Sequence, residues 1–339
     1  MKSILYPIII ITALAALTAF RPQYKVITAS APNSVVEVLK QLGVEMPKHT
    51  VNANISGVSA EAGKELMLNG FTSKDPVGKT QRQSRHFVCT SCHNVVVEDP
   101  DLRYADPDAR LQYAVDNDLS FLPATTFYGI INRKTFYNGD YEKKYGDLVK
   151  PARHSLRGAI ALCAVECAQG RELQDWEMES IVAYLWTIGL QLSDLNIPQA
   201  EMDIVMDALA GNADATKAAN IVQSYFLDHS PATFITPPPN RHDGYGLKGN
   251  AENGKKVYEQ SCLHCHAEQR YSFFDLDKSD YSTNYLGKHF EKYTRHSAYQ
   301  VIRYGTSPMN GKRAYMPHFT LERMSNQQVE DLKAYLKGN

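Results

Sequence analysis

Two five-residue segments constrain this chain more than any other feature: Cys89-Thr-Ser-Cys92-His93 and Cys262-Leu-His-Cys265-His266, both of the form C-x-x-C-H. That spacing lets two thiols add to the two vinyl groups of one haem while the next residue, a histidine, ligates its iron. A zinc-binding or thiol-redox C-x-x-C is the competing reading. The two motifs stand too far apart in sequence for a zinc ribbon, and neither sits in a thioredoxin-like context. The expectation is therefore two covalently bound haem c groups, attached through Cys89, Cys92, Cys262 and Cys265, with His93 and His266 as iron ligands.

Covalent haem attachment suits export, and the N-terminus agrees. Lys2 precedes an apolar run from Ile4 to Phe20, broken by Arg21, Pro22 and Gln23. Residues 1–22 read as a cleaved signal peptide or as a retained anchor, since the run is barely long enough for a bilayer and Leu17-Thr18-Ala19 is a fair cleavage site. No cysteine follows the run, so a lipoprotein anchor is excluded. The expected location is the periplasm, soluble or tethered to the inner membrane through residues 4–20. The net charge of −1 argues against nucleic acid as a partner.

The expected fold is mainly α: two cytochrome c-like haem domains, 51–227 and 250–339, joined by a Pro-rich linker at 228–249, after the N-terminal helix. In the second domain, Asn253, Gly254, Val257 and Tyr258 begin a short helix that enters Cys262. Ser325 and Gln328 form a capping box for a last helix carrying Val329, Leu332, Tyr335 and Leu336 on one face. Between them lies Tyr315-Met316-Pro317-His318-Phe319. Met316 is the expected sixth iron ligand, a soft thioether that favours Fe(II), with Met309 and His318 as the alternatives. The linker, with Pro231, Pro237, Pro238 and Pro239, reads as a semi-rigid spacer.

In the first domain, Ser59 is expected to cap a helix that ends at Gly70, and Asp175 to cap one carrying Ile181, Tyr184, Leu185 and Ile188. Between Cys92 and Cys163 runs an aromatic insertion, Phe121 to Gly129 and Phe136 to Tyr141. It reads either as a substrate wall over one haem face or as core around the porphyrin. Two further helices are expected between Ile197 and Leu227. Cys163 and Cys167 remain, four residues apart. In an oxidising compartment a spare pair defaults to a disulfide, yet i and i+4 positions of a regular helix bridge poorly. The other reading is that one thiol meets iron as thiolate, with Arg153, Arg157 and Arg171 supplying positive charge nearby.

The order of these segments resembles the dihaem thiosulfate dehydrogenases and the related haem-thiolate cytochromes of sulfur oxidation. A helix with Gly63 and Leu66 precedes a loop and Cys89 to His93. A cysteine then stands seven residues before Gly170, ahead of the helix from Trp176 to Leu185, and a methionine-ligated domain follows. The resemblance implies Cys163 as distal ligand of the first haem and as the residue to which a sulfur substrate attaches; Cys167 has no counterpart in it, and Cys167, Met178, His154 or an open site are the alternatives at the iron. It also implies a reaction that joins two thiosulfates into tetrathionate and passes two electrons through both haems to a redox partner. Arg133, Arg153, Arg157 and Arg171 are the candidates for binding the dianion, since guanidinium groups hold oxyanion edges bidentately. The alternative is a dihaem electron-transfer subunit of a respiratory complex with no substrate of its own. A dihaem peroxidase fits less well, because a cysteine segment stands where that chemistry needs an open haem face.

Overall fold

The computed structural model describes residues 33–45, 49–73, 78–307 and 314–338. The N-terminal apolar run and Met309 lie outside the described residues. Helices and turns make up the fold, and the described residues contain no strand; an isolated bridge links Ser34 and Gln191.

Two crossed helix pairs organise it. Ala60–Asn69 crosses Asp175–Thr187, and Ala251–Val257 crosses Asn326–Lys337. Each crossing is made possible by a glycine. A Cβ on Gly63 would lie 1.9 Å from the carbonyl oxygen of Ser180, and one on Gly254 would lie 1.9 Å from that of Asp331. No side chain fits there, so the backbones touch. The N-cap of each entry helix is tied to the same spot on its partner. The Ser59 amide donates to Ser180 Oγ at 3.1 Å, and the Asn250 amide to Asp331 Oδ1 at 2.7 Å.

The two entry helices also share a sequence: Ser59-Ala-Glu-Ala-Gly63-Lys and Asn250-Ala-Glu-Asn-Gly254-Lys. After each glycine, the residues at +3 and +4 face the core, Leu66 and Met67 in one and Val257 and Tyr258 in the other, all buried. The chain thus builds the same crossing twice. Ser59 caps its helix as expected, accepting from the Ala62 amide, and Gly70 ends it with φ of 74°. Asp175 is the first helical residue and not the cap; that place belongs to Gln174, whose amide donates to the Glu177 carboxylate at 2.9 Å. The Ser325–Gln328 box is present.

Three apolar cores result. The first gathers around the Gly63 crossing. A second packs Val35–Gln41 against the two helices expected between 197 and 227, which run Gln199–Leu209 and Ala215–Ser224. The third surrounds the Gly254 crossing and takes in Leu111, Ala114 and Phe121. Those three come from the stretch between Cys92 and Cys163, where helix Pro107–Asp116 leans on the last unit. Gln328 Nε2 donates to Pro107 O at 2.7 Å. The linker lies packed along this structure instead of hanging free. The Thr233 amide donates to Glu322 at 2.8 Å, and Phe234 meets Tyr141 and His318 edge-on or tilted, each with centroids 4.9 Å apart.

Candidate functional site

In the last unit, helix Ala251–Val257 loosens into a π turn, Tyr258–Cys262, and a short α turn, Leu263–His266, carries the rest of the motif. His266 Nδ1 donates to the Phe274 carbonyl at 2.8 Å. A carbonyl can only accept, so Nδ1 holds the proton and Nε2 keeps a lone pair for iron. Burial lowers the His266 pKa, disfavouring the charged ring. The Cys262 and Cys265 thiols are free, and burial pushes them up to about 12 and about 11. Met316 packs against the same core as Cys262, Leu263 and Phe274. Its backbone is held on both sides: the Met316 amide donates to Thr306 Oγ1 at 2.8 Å, and the Met316 carbonyl accepts the Thr306 amide at 2.9 Å. Gly305, with φ of 68°, allows this approach, since a Cβ there would lie 2.5 Å from Met316 O.

The first motif repeats the arrangement. Cys89–Ser91 forms a 3-10 turn, and His93 Nδ1 donates to the Thr125 carbonyl at 2.6 Å while its ring stacks on Phe127 at 4.1 Å. Burial pushes His93 down to about 4. In both motifs the donor set fits a covalently bound haem c: two free, half-buried thiols and an imidazole whose Nδ1 is already committed to a backbone carbonyl. Among the described residues no group of three or more His, Cys, Asp or Glu side chains is arranged to hold a metal ion.

The two motifs touch. Cys265 Sγ lies 4.0 Å from Ser91 O, and Ser120 Oγ is 2.7 Å from His264 Nδ1. The Phe121 amide donates to Gln260 O at 2.9 Å beside them.

Cys163–Cys167 is a π turn, closed by the Ala168 amide donating to Cys163 O at 2.7 Å, so the regular-helix geometry expected between the two cysteines does not apply. Both are free thiols, and they interact directly: that contact raises the pKa of Cys163 and lowers that of Cys167. The turn is stitched to the segment entering the first motif. Gln83 Nε2 donates to Ala164 O at 2.7 Å and Ser84 Oγ to Ala168 O at 2.5 Å. Gly170 is required by this seam, because a Cβ there would lie 2.3 Å from Gln83 Nε2.

The four candidate arginines do not converge on the thiols. Arg153 pairs with Glu142 at 2.8 Å, Arg157 with Glu179 at 2.5 Å, and Arg171 with Glu177 at 2.5 Å. Arg133 lies behind His93, donating to Thr125 Oγ1 at 3.0 Å and Ser230 Oγ at 2.8 Å. The aromatic insertion also divides: Phe121 joins the third core, Phe127 and Phe136 the first, and the Tyr128 hydroxyl donates to Asp194 at 2.8 Å.

These features define a c-type cytochrome domain in the last unit, with covalently bound haem c and a role in electron transfer. Residues 249–336 match the family described as cytochrome c oxidase, cbb3-type, subunit III. No curated protein and no solved structure matches the chain.

Proposed function

We propose that the chain is a dihaem c-type cytochrome working outside the cytoplasm, in which electrons cross between the two C-x-x-C-H sites and leave to a redox partner or respiratory assembly. When bound, haem c supplies a one-electron Fe(III)/Fe(II) couple. The observation that carries the reading is the contact between the motifs, Cys265 Sγ 4.0 Å from Ser91 O. His93 and His266 each offer a neutral Nε2, and Met316 is the sixth ligand of the second site. Delivering one electron by a light-triggered donor should give equilibration between the two sites at a rate independent of protein concentration. Replacing His264 by Gly, which removes its hydrogen bond with Ser120, should slow that rate. A concentration-dependent rate would contradict the reading.

A second reading, oxidation of thiosulfate or a related sulfur compound, is favoured by the Cys163–Cys167 turn and its seam with the segment entering Cys89. Cys163 is the residue assigned to the substrate and to the first iron. Since the four arginines are held elsewhere, the thiol and not a cationic clamp would carry recognition. Cys163→Ala should abolish thiosulfate-dependent reduction of an artificial acceptor while both haems stay attached, with Cys167→Ala as control. A wild-type protein with no thiosulfate-dependent electron flow sinks this reading and leaves the first intact.

A further inference from the structure

Arg323 carries the last unit into the first. Arg323 lies between the Met316 segment and the Ser325 cap, and it is buried at 6% exposure. Its Nη2 donates to Ala124 O at 2.7 Å and Leu122 O at 3.1 Å, and lies 2.8 Å from Glu98 Oε1. Glu98, at 1% exposure, accepts the Thr126 amide at 2.8 Å and Asn94 Nδ2 at 2.9 Å. Arg110, also at 1%, donates to the Arg323 carbonyl and lies 3.9 Å from Glu98 Oε2. Residues 122–126 are therefore fixed on both sides of Thr125, whose carbonyl accepts from His93 Nδ1 at 2.6 Å. Arg133 holds the Thr125 hydroxyl as well.

A buried, multiply hydrogen-bonded charge cluster gives a fixed backbone, because moving it would strand ionised groups away from water. The strength of the Nδ1–H···O bond governs the basicity of the other ring nitrogen, and so its donation to iron. We propose that Arg323, with Glu98, is a positioning residue for His93, so that the last unit sets the redox potential of the first haem. This rests on the reading that His93 ligates a haem. A well-held Thr125 carbonyl strengthens His93 as a donor and favours Fe(III); loosening it raises the potential of that haem.

Arg323→Lys tests this, because it keeps the charge but loses the fork that spans Glu98, Leu122 and Ala124. Intact mass first establishes that both haems are attached. A spectroelectrochemical titration should then show the first haem easier to reduce by about tenfold in its equilibrium constant, about 59 mV for one electron, with the Met-ligated second haem unmoved. The low-spin ferric EPR signal of the first haem should shift as well. Glu98→Gln, which loosens the Thr126 side of the same loop, should move the first haem in the same direction. An unchanged potential in both variants, or equal shifts at both haems, overturns the proposal. Absence of haem at Cys89 and Cys92 would instead refute the reading beneath it.

Discussion

At the residue scale, the four cysteines and two histidines of the two motifs stand out in the sequence because C-x-x-C-H is a covalent and coordination requirement that tolerates little variation. Met316 is proposed as a ligand from its place before the last helix, and its backbone is held by Thr306 and the Gly305 approach. Met316→Ala should remove the weak long-wavelength band of Met-ligated ferric haem and leave the other haem's spectrum unchanged; survival of that band would move the ligand elsewhere. What was not legible is the Glu98–Arg323 cluster. Its members are distant in sequence, and single charges carry no pattern until the fold brings them together. Asp99 beside it, pushed up to about 6 by burial and then by the charge of Glu98, has a pH consequence. A folded-state pKa above the ordinary 3.8 means stability that is complete below that value and lost as pH rises through about 6. Glu98, held at about 2 against the opposing effect of its own burial chiefly by Arg323 and then Arg110, acts with the opposite sign and in a lower window, losing its contribution as pH falls from 4.5 toward 2. Urea midpoints of wild type should therefore decline between about pH 4 and about pH 7 more steeply than those of Asp99→Asn. Parallel curves would show that Asp99 does not titrate as described.

At the element scale, caps and apolar spacing placed the helices well, because Ser59, Gly70 and the Ser325–Gln328 box act locally. The misplaced cap at Asp175 has an equally local cause: the Glu177 carboxylate reaches back to the Gln174 amide and makes Gln174 the boundary. The Ala-Glu-x-Gly-Lys repeat at 60–64 and 251–255 was present in the sequence but acquires meaning only when both glycines are seen against a carbonyl on a crossing helix. Because the two contacts are equivalent, Gly63→Val and Gly254→Val should each destabilise the protein by at least about 3 kcal/mol, the upper range for overpacking, measured by chemical unfolding. A change below about 1 kcal/mol at either site would show that its helices do not cross as closely as described. The π turn at Cys163–Cys167 could not have been read from spacing, since an α turn and a π turn present the same residues and differ only in which carbonyl the Ala168 amide finds.

At the scale of the whole molecule, the prolines of the linker suggest a semi-rigid spacer that restrains the second unit, and here Thr233 and Phe234 bind the last unit while helix Pro107–Asp116 packs into its core. From sequence, the insertion after Cys92 reads either as a wall over the haem or as core around it, because aromatic residues suit either role. The structure spends much of it on joining the two units, which is what brings Ser91 and Cys265 together. The central claim is that both motifs carry haem and that the chain is built to keep them adjacent. Its most direct test is the intact mass of the protein matured with covalent haem attachment, in wild type and in the Cys89→Ala/Cys92→Ala and Cys262→Ala/Cys265→Ala variants. Wild type should carry two haem increments and each variant one. A single increment in wild type, lost only when Cys262 and Cys265 are replaced, would contradict it.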